Sequence, residues 1–88
     1  MKTSDLSPAH VEWSRNHFRT MSDGGVWAVP RCGIIFVRRG DSLVLTARMP
    51  YDPTMPISAA ELDQQQRSNF ESIKEHFEAA GIKVFWQC

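Results

Sequence analysis

Reactive and structurally special residues are scarce in this chain. Its 88 residues include two cysteines, three histidines and one tyrosine, and ten basic side chains cancel ten acidic ones. Two cysteines far apart, with no CxxC and no HExxH spacing, exclude a disulfide scaffold and the common zinc frameworks. Zero net charge removes long-range attraction of the whole molecule to nucleic acid or to an anionic membrane. No apolar run approaches the roughly 20 residues that span a bilayer, and polar residues follow Met1-Lys2 where a secretory leader has an apolar stretch. The expected setting is therefore the reducing cytoplasm, with free thiols and no membrane contact. No internal repeat and no low-complexity tract occurs.

What is present is an ordinary globular composition, 42% hydrophobic and 23% charged. A chain of this length folds as one domain over residues 1–88 and buries about 60–65% of its unfolded surface. Its centre is Gly33–Met49, GIIFVRRGDSLVLTARM, two β-branched runs around Gly40-Asp41. That pair predicts a type II′ hairpin turn, and counting outward fixes the register. Arg39 faces Ser42, Arg38 faces Leu43, Val37 faces Val44, Phe36 faces Leu45, Ile35 faces Thr46 and Ile34 faces Ala47. One face then carries Ile34, Phe36, Leu43, Leu45, Ala47 and Met49, and the other Ile35, Val37, Val44, Thr46 and Arg48. Arg38 and Arg48 fall on opposite faces, and Arg39 shares Arg48's. Both faces are apolar enough to need a cover.

Ser7-Pro8 predicts a helix start, with Leu6 stapled onto Val11, and the helix runs over about residues 8–20 to the Asp23-Gly24-Gly25 stop. Val26–Val29 reads as a short strand closed by Pro30. Three prolines within residues 50–56 demand an extended, stiff loop. Ser58-Ala59-Ala60-Glu61 is a capping box, and Leu62, Phe70, Ile73, Phe77 and Ala80 repeat at helical spacing to a Gly81 stop with Ile82 placed for a Schellman contact. That predicts helix over residues 59–80. Residues 82–87 alternate Ile82, Val84 and Trp86 against Lys83, Phe85 and Gln87, as a final strand does. The order α-β-β-β-α-β makes the class α+β: a four-stranded, mainly antiparallel sheet with the long helix of the C-terminal half on the Phe36/Leu45 face. The position of the first helix does not follow from the pattern.

Candidate chemistry is thin. His10 and His17 stand two helical turns apart, too far to share an ion, and His76 sits on the charged side of its helix as a solvated residue, so neither metal nor cofactor is expected. Cys32, beside Arg31, has the setting of an activated thiol but no oxyanion loop to serve it, and no catalytic residue is assigned. Arg39-Gly40-Asp41-Ser42 spells an integrin-binding tetrapeptide, which any Gly-Asp hairpin after an arginine produces. Charge divides unevenly, with seven basic against four acidic residues before Pro50 and three against six from there on.

The runs Gly24-Gly25-Val26-Trp27-Ala28-Val29-Pro30-Arg31, Leu43-Val44-Leu45-Thr46-Ala47-Arg48-Met49-Pro50 and His76-Phe77-Glu78-Ala79-Ala80-Gly81-Ile82 resemble small uncharacterised proteins of bacteriophages and prophages. The resemblance implies accessory work: binding and inhibiting or redirecting a host enzyme or a defence complex, as anti-CRISPR proteins do. It transfers no site residue. Aromatics, methionine and arginine, the residues of interface centres, are plentiful. The expectation is a protein–protein interaction module without catalysis, acting on a larger bacterial protein or on a second copy. Its candidate partner-binding residues are Arg38, Arg39, Arg48, Tyr51, Met55 and Trp86. The alternative is a small nucleic-acid binder using the hairpin arginines.

Overall fold

The computed structural model describes residues 7–29 and 33–87. The Leu6 staple, the Pro30 strand end, the Arg31-Cys32 turn and the Cys88 thiol lie outside those residues. The elements are α1 (Pro8–Thr20), β1 (Val26–Val29), β2 (Ile34–Arg39), β3 (Ser42–Arg48), α2 (Ala59–Ala79) and β4 (Lys83–Trp86). The class is α+β, in the order read from the sequence.

Each helix end has a local cause. At α2 the Ser58 hydroxyl accepts from the Glu61 N–H at 3.1 Å and the Glu61 carboxylate accepts from the Ser58 N–H at 2.9 Å, closing the capping box. The helix stops at Ala79, one residue short of the expected end. The Ile82 N–H then donates to the Phe77 carbonyl at 2.9 Å and the Gly81 N–H to that of Glu78 at 3.0 Å, which is the Schellman pattern. Ser58→Ala is expected to lower stability by about 1 kcal/mol, read as a smaller urea midpoint at unchanged slope; an unmoved midpoint would show the cap to be energetically idle. At α1 Ser7 is the N-cap but its side chain makes no capping bond, so the start rests on Pro8 and on the Val11 N–H donating to the Ser7 carbonyl.

The sheet order is β1-β2-β3-β4. The β1–β2 and β2–β3 pairs are antiparallel, while β4 lies parallel to β3 because α2 carries the chain back along the sheet before β4 begins. Gly40 at φ 59° alone takes the positive angle in the hairpin, as a type II′ turn requires. The expected register holds from Arg39/Ser42 to Phe36/Leu45 and then slips. Ile35 pairs with Ala47 and Ile34 with Arg48, a bulge that leaves Thr46 as the extra residue. The slip turns Arg48 over. Instead of lying opposite Arg38 and beside Arg39, it shares the face of fully buried Ile34 and points to α2. Gly33 sits where the chain doubles back on Met49: a Cβ there would lie 2.6 Å from that of Met49.

Both helices cover the same face. Phe18 of α1 and Phe70 and Phe77 of α2 pack with Ile34, Phe36, Leu43, Leu45, Ile82 and Val84 into one core. The first helix therefore lies beside the second, and among the described residues nothing covers the opposite face of the sheet.

Candidate functional site

Strand alternation dictates what the bare face carries. Cross-strand register places Val26, Val37, Val44 and Phe85 side by side in one row across all four strands. Val26 is 67% exposed and Phe85 50%, whereas Val44, inside the row, is buried by its neighbours. Ala28 and Ile35 extend the row toward one end. At the hairpin end the register aligns Arg39, Ser42 and Lys83. Arg39 and Lys83 are both exposed, and no described strand position on this face is acidic. A broad depression of about 560 Å³, lined by Glu78, Gly81, Ile82, Lys83 and Phe85, opens beside Phe85 at the sheet edge. The face is thus an apolar band with a cationic margin.

The six residues singled out from sequence are scattered, and most are engaged within the molecule. Arg38 clamps the end of α1. One of its Nη atoms donates to the carbonyls of Phe18 and Met21 at 3.0 and 2.6 Å, its Nε donates to that of Gly40 at 2.9 Å, and its guanidinium lies 4.1 Å over the Phe18 ring. Arg48 donates to Asp63 at 2.6 Å and to Gln66 at 3.3 Å. Arg67 donates to the other oxygen of Asp63 at 2.9 Å, and both guanidiniums stand over Trp86, at 5.3 and 4.9 Å. Hydrogen bonds from Arg48 and then Arg67 hold the Asp63 carboxyl below the usual carboxylate range. Trp86 is half-buried with Phe70 edge-on to it at 5.0 Å. Tyr51 donates to the Ile57 carbonyl at 3.0 Å and lines, with Arg48, Leu62, Asp63 and Gln66, a cavity of about 170 Å³. Met55 is half-buried in the proline loop. The structure brings Arg48, Trp86 and Tyr51 to one end of the molecule and Arg38 and Arg39 to the other. Of the six, Arg39 lies on the bare face.

Sequence reading finds a second apolar face on the hairpin but misses Val26 and Phe85, whose membership depends on how β1 and β4 dock. Gln66, which fills the missing turn of the apolar stripe of α2 in the sequence, is buried, and its partners are not legible there. Gln66 accepts from Arg48 and donates to the Met49 carbonyl at 3.0 Å, tying the loop to the helix. The clue is its position, where a polar side chain is stable only if a partner awaits it.

The histidines are placed differently from expectation. His76 is not a solvated residue: it is half-buried against His10, with ring centroids 5.6 Å apart. Among the described residues no three His, Cys, Asp or Glu side chains converge to hold a metal ion. Nor, among the described residues, is any helix long and apolar enough to cross a membrane. The thiol considered for catalysis, Cys32, lies outside the described residues. No protein-family model matches the chain, and neither a curated protein nor a solved structure is significantly similar to it.

Proposed function

We propose that this chain is a non-catalytic protein-binding module that docks through the bare face of its sheet onto a larger protein with an apolar centre and an acidic margin. The observation that carries the reading is the uncovered row Val26, Val37, Val44 and Phe85 with Arg39 and Lys83 at its end. Apolar patches of this kind mark interaction sites, and Arg39 and Lys83, with no acidic strand position on the face, favour an anionic rim. Four strands about 4.8 Å apart and about 13–23 Å long present roughly 330 Å². Two such faces pressed together would bury about 660 Å², the scale of a lattice contact and not of a stable dimer. A larger partner that also wraps the rim supplies the missing area, so a second copy is the weaker occupant. In the setting the phage resemblance implies, that partner is a bacterial enzyme or defence complex, inhibited or redirected by being covered.

The test is affinity capture from bacterial lysate, with and without nuclease, using the native chain and Val37→Glu. Val37 is half-exposed at the centre of the row, so the added charge disfavours the interface and leaves the core intact. The expected result is a discrete protein catch, insensitive to nuclease and lost from Val37→Glu. A nuclease-sensitive catch that falls steeply with salt would instead favour nucleic-acid binding.

A further inference from the structure

All three histidines of the chain lie on the seam where α1 meets the rest of the molecule. His10 of α1 meets His76 of α2 edge-on, and His17, two turns further along α1, stacks on Trp13 at 4.7 Å and abuts Trp27 of β1 at 4.6 Å. A cleft of about 190 Å³ lined by His10, Trp13, Trp27, Ile73, His76 and Phe77 follows this seam. Nδ1 of His76 lies 2.8 Å from the Ser72 carbonyl, which assigns the proton of the neutral ring to Nδ1 and leaves the lone pair on Nε2. The Nε2 atoms of His76 and His17 are both buried with no hydrogen-bond partner.

A proton added to the neutral His17 ring makes its Nε2 a buried cationic donor with nothing to accept it. The neighbours offer no compensation. Facing the rings are Trp13 and Ser14 from α1, Ser72, Ile73 and Phe77 from α2, and Trp27 from β1, none of them anionic. Among the described residues no carboxylate pairs with an imidazole. Further along the seam stands Arg38, over Phe18, itself a cation. His17 and His76 occupy the last turns of their helices, where backbone carbonyls favour positive charge. For His17 burial prevails over that field and holds its pKa below the ordinary 6.5.

α1 is lightly bound into the core. Of the described buried apolar residues it supplies Phe18 alone, and all the others belong to the sheet, to α2 or to the turn after it. We infer that α1 is an acid-released arm: protonation of His17 as pH falls below about 6.5 frees α1 from α2 and β1 while α2 and the sheet stay folded. The sign follows from linkage. A histidine whose pKa is lower when docked than when free stabilises docking above the free value, and that stabilisation is lost as pH falls below it.

The test is amide hydrogen exchange on the native chain from about pH 7.5 to about pH 5, corrected for intrinsic rates, with tryptophan emission followed in parallel. Protection of α1 should fall about tenfold further than that of α2, with a red shift as Trp27 is uncovered. His17→Gln should hold α1 protection level over the same range. If that variant does not fold, His17→Asn should move the emission midpoint to lower pH. The inference is overturned if α1 and α2 change in step, if α1 is indifferent to pH, or if the substitutions leave the midpoint unmoved.

Discussion

Phe36→Ala is expected to lower the unfolding free energy by about 3–5 kcal/mol, the range for deleting a fully buried ring. Phe36 has no exposed surface and sits at the centre of the only core the described residues form, stacked between Trp27 at 5.4 Å and Phe70 at 6.2 Å. Those partners come from β1 and α2, so the hole cannot be closed by moving one element without opening another contact. A chain of 88 residues has about 4–13 kcal/mol of stability in total. The substitution therefore removes from about a quarter to all of that stability. Denaturant unfolding followed by far-UV circular dichroism measures it, and a loss under about 1 kcal/mol would mean the ring is not packed as described.

Phe85→Asp should do the reverse: change stability by no more than about 0.5 kcal/mol and weaken partner capture by about a hundredfold or more. Phe85 is half-exposed on an edge strand and takes no part in the core cluster, so folding loses little with the ring. Binding loses the largest side chain of the bare face and gains a carboxylate where the partner is expected to present acid. The order of the two effects separates a binding residue from a structural one. If Phe85→Asp instead unfolds the chain, or binds as well as the native protein, the bare face is not the docking surface.

Much of the fold is legible in the sequence because its signals are local. Ser58 and Glu61 specify the start of α2 within one turn, Gly81 and Ile82 its end, and Gly40-Asp41 the hairpin. What stays hidden depends on partners remote in the chain. The parallel docking of β4 on β3 follows from where α2 returns the chain, and no residue of 83–86 encodes it. The bulge at Thr46 exchanges the faces of two residues without any proline or glycine to announce it, so counting outward from the turn puts Arg48 on the wrong side. Arg38 illustrates the same limit. As sequence it is a hairpin arginine available to a partner; in the fold it satisfies two carbonyls at the end of α1, groups that would otherwise lack donors. The histidine seam is invisible in the sequence because His10 and His76 are brought together only by helix packing.

Which face of the sheet meets the partner is the point on which binding turns. A photo-crosslinking side chain placed at Val26, at Phe85 and, as control, at Glu71 on the exposed side of α2 reads this in lysate, whatever the partner's identity. Positions 26 and 85 should each yield the same discrete protein adduct, with none from position 71. Adducts from position 71 in the absence of any from 26 and 85 would contradict it.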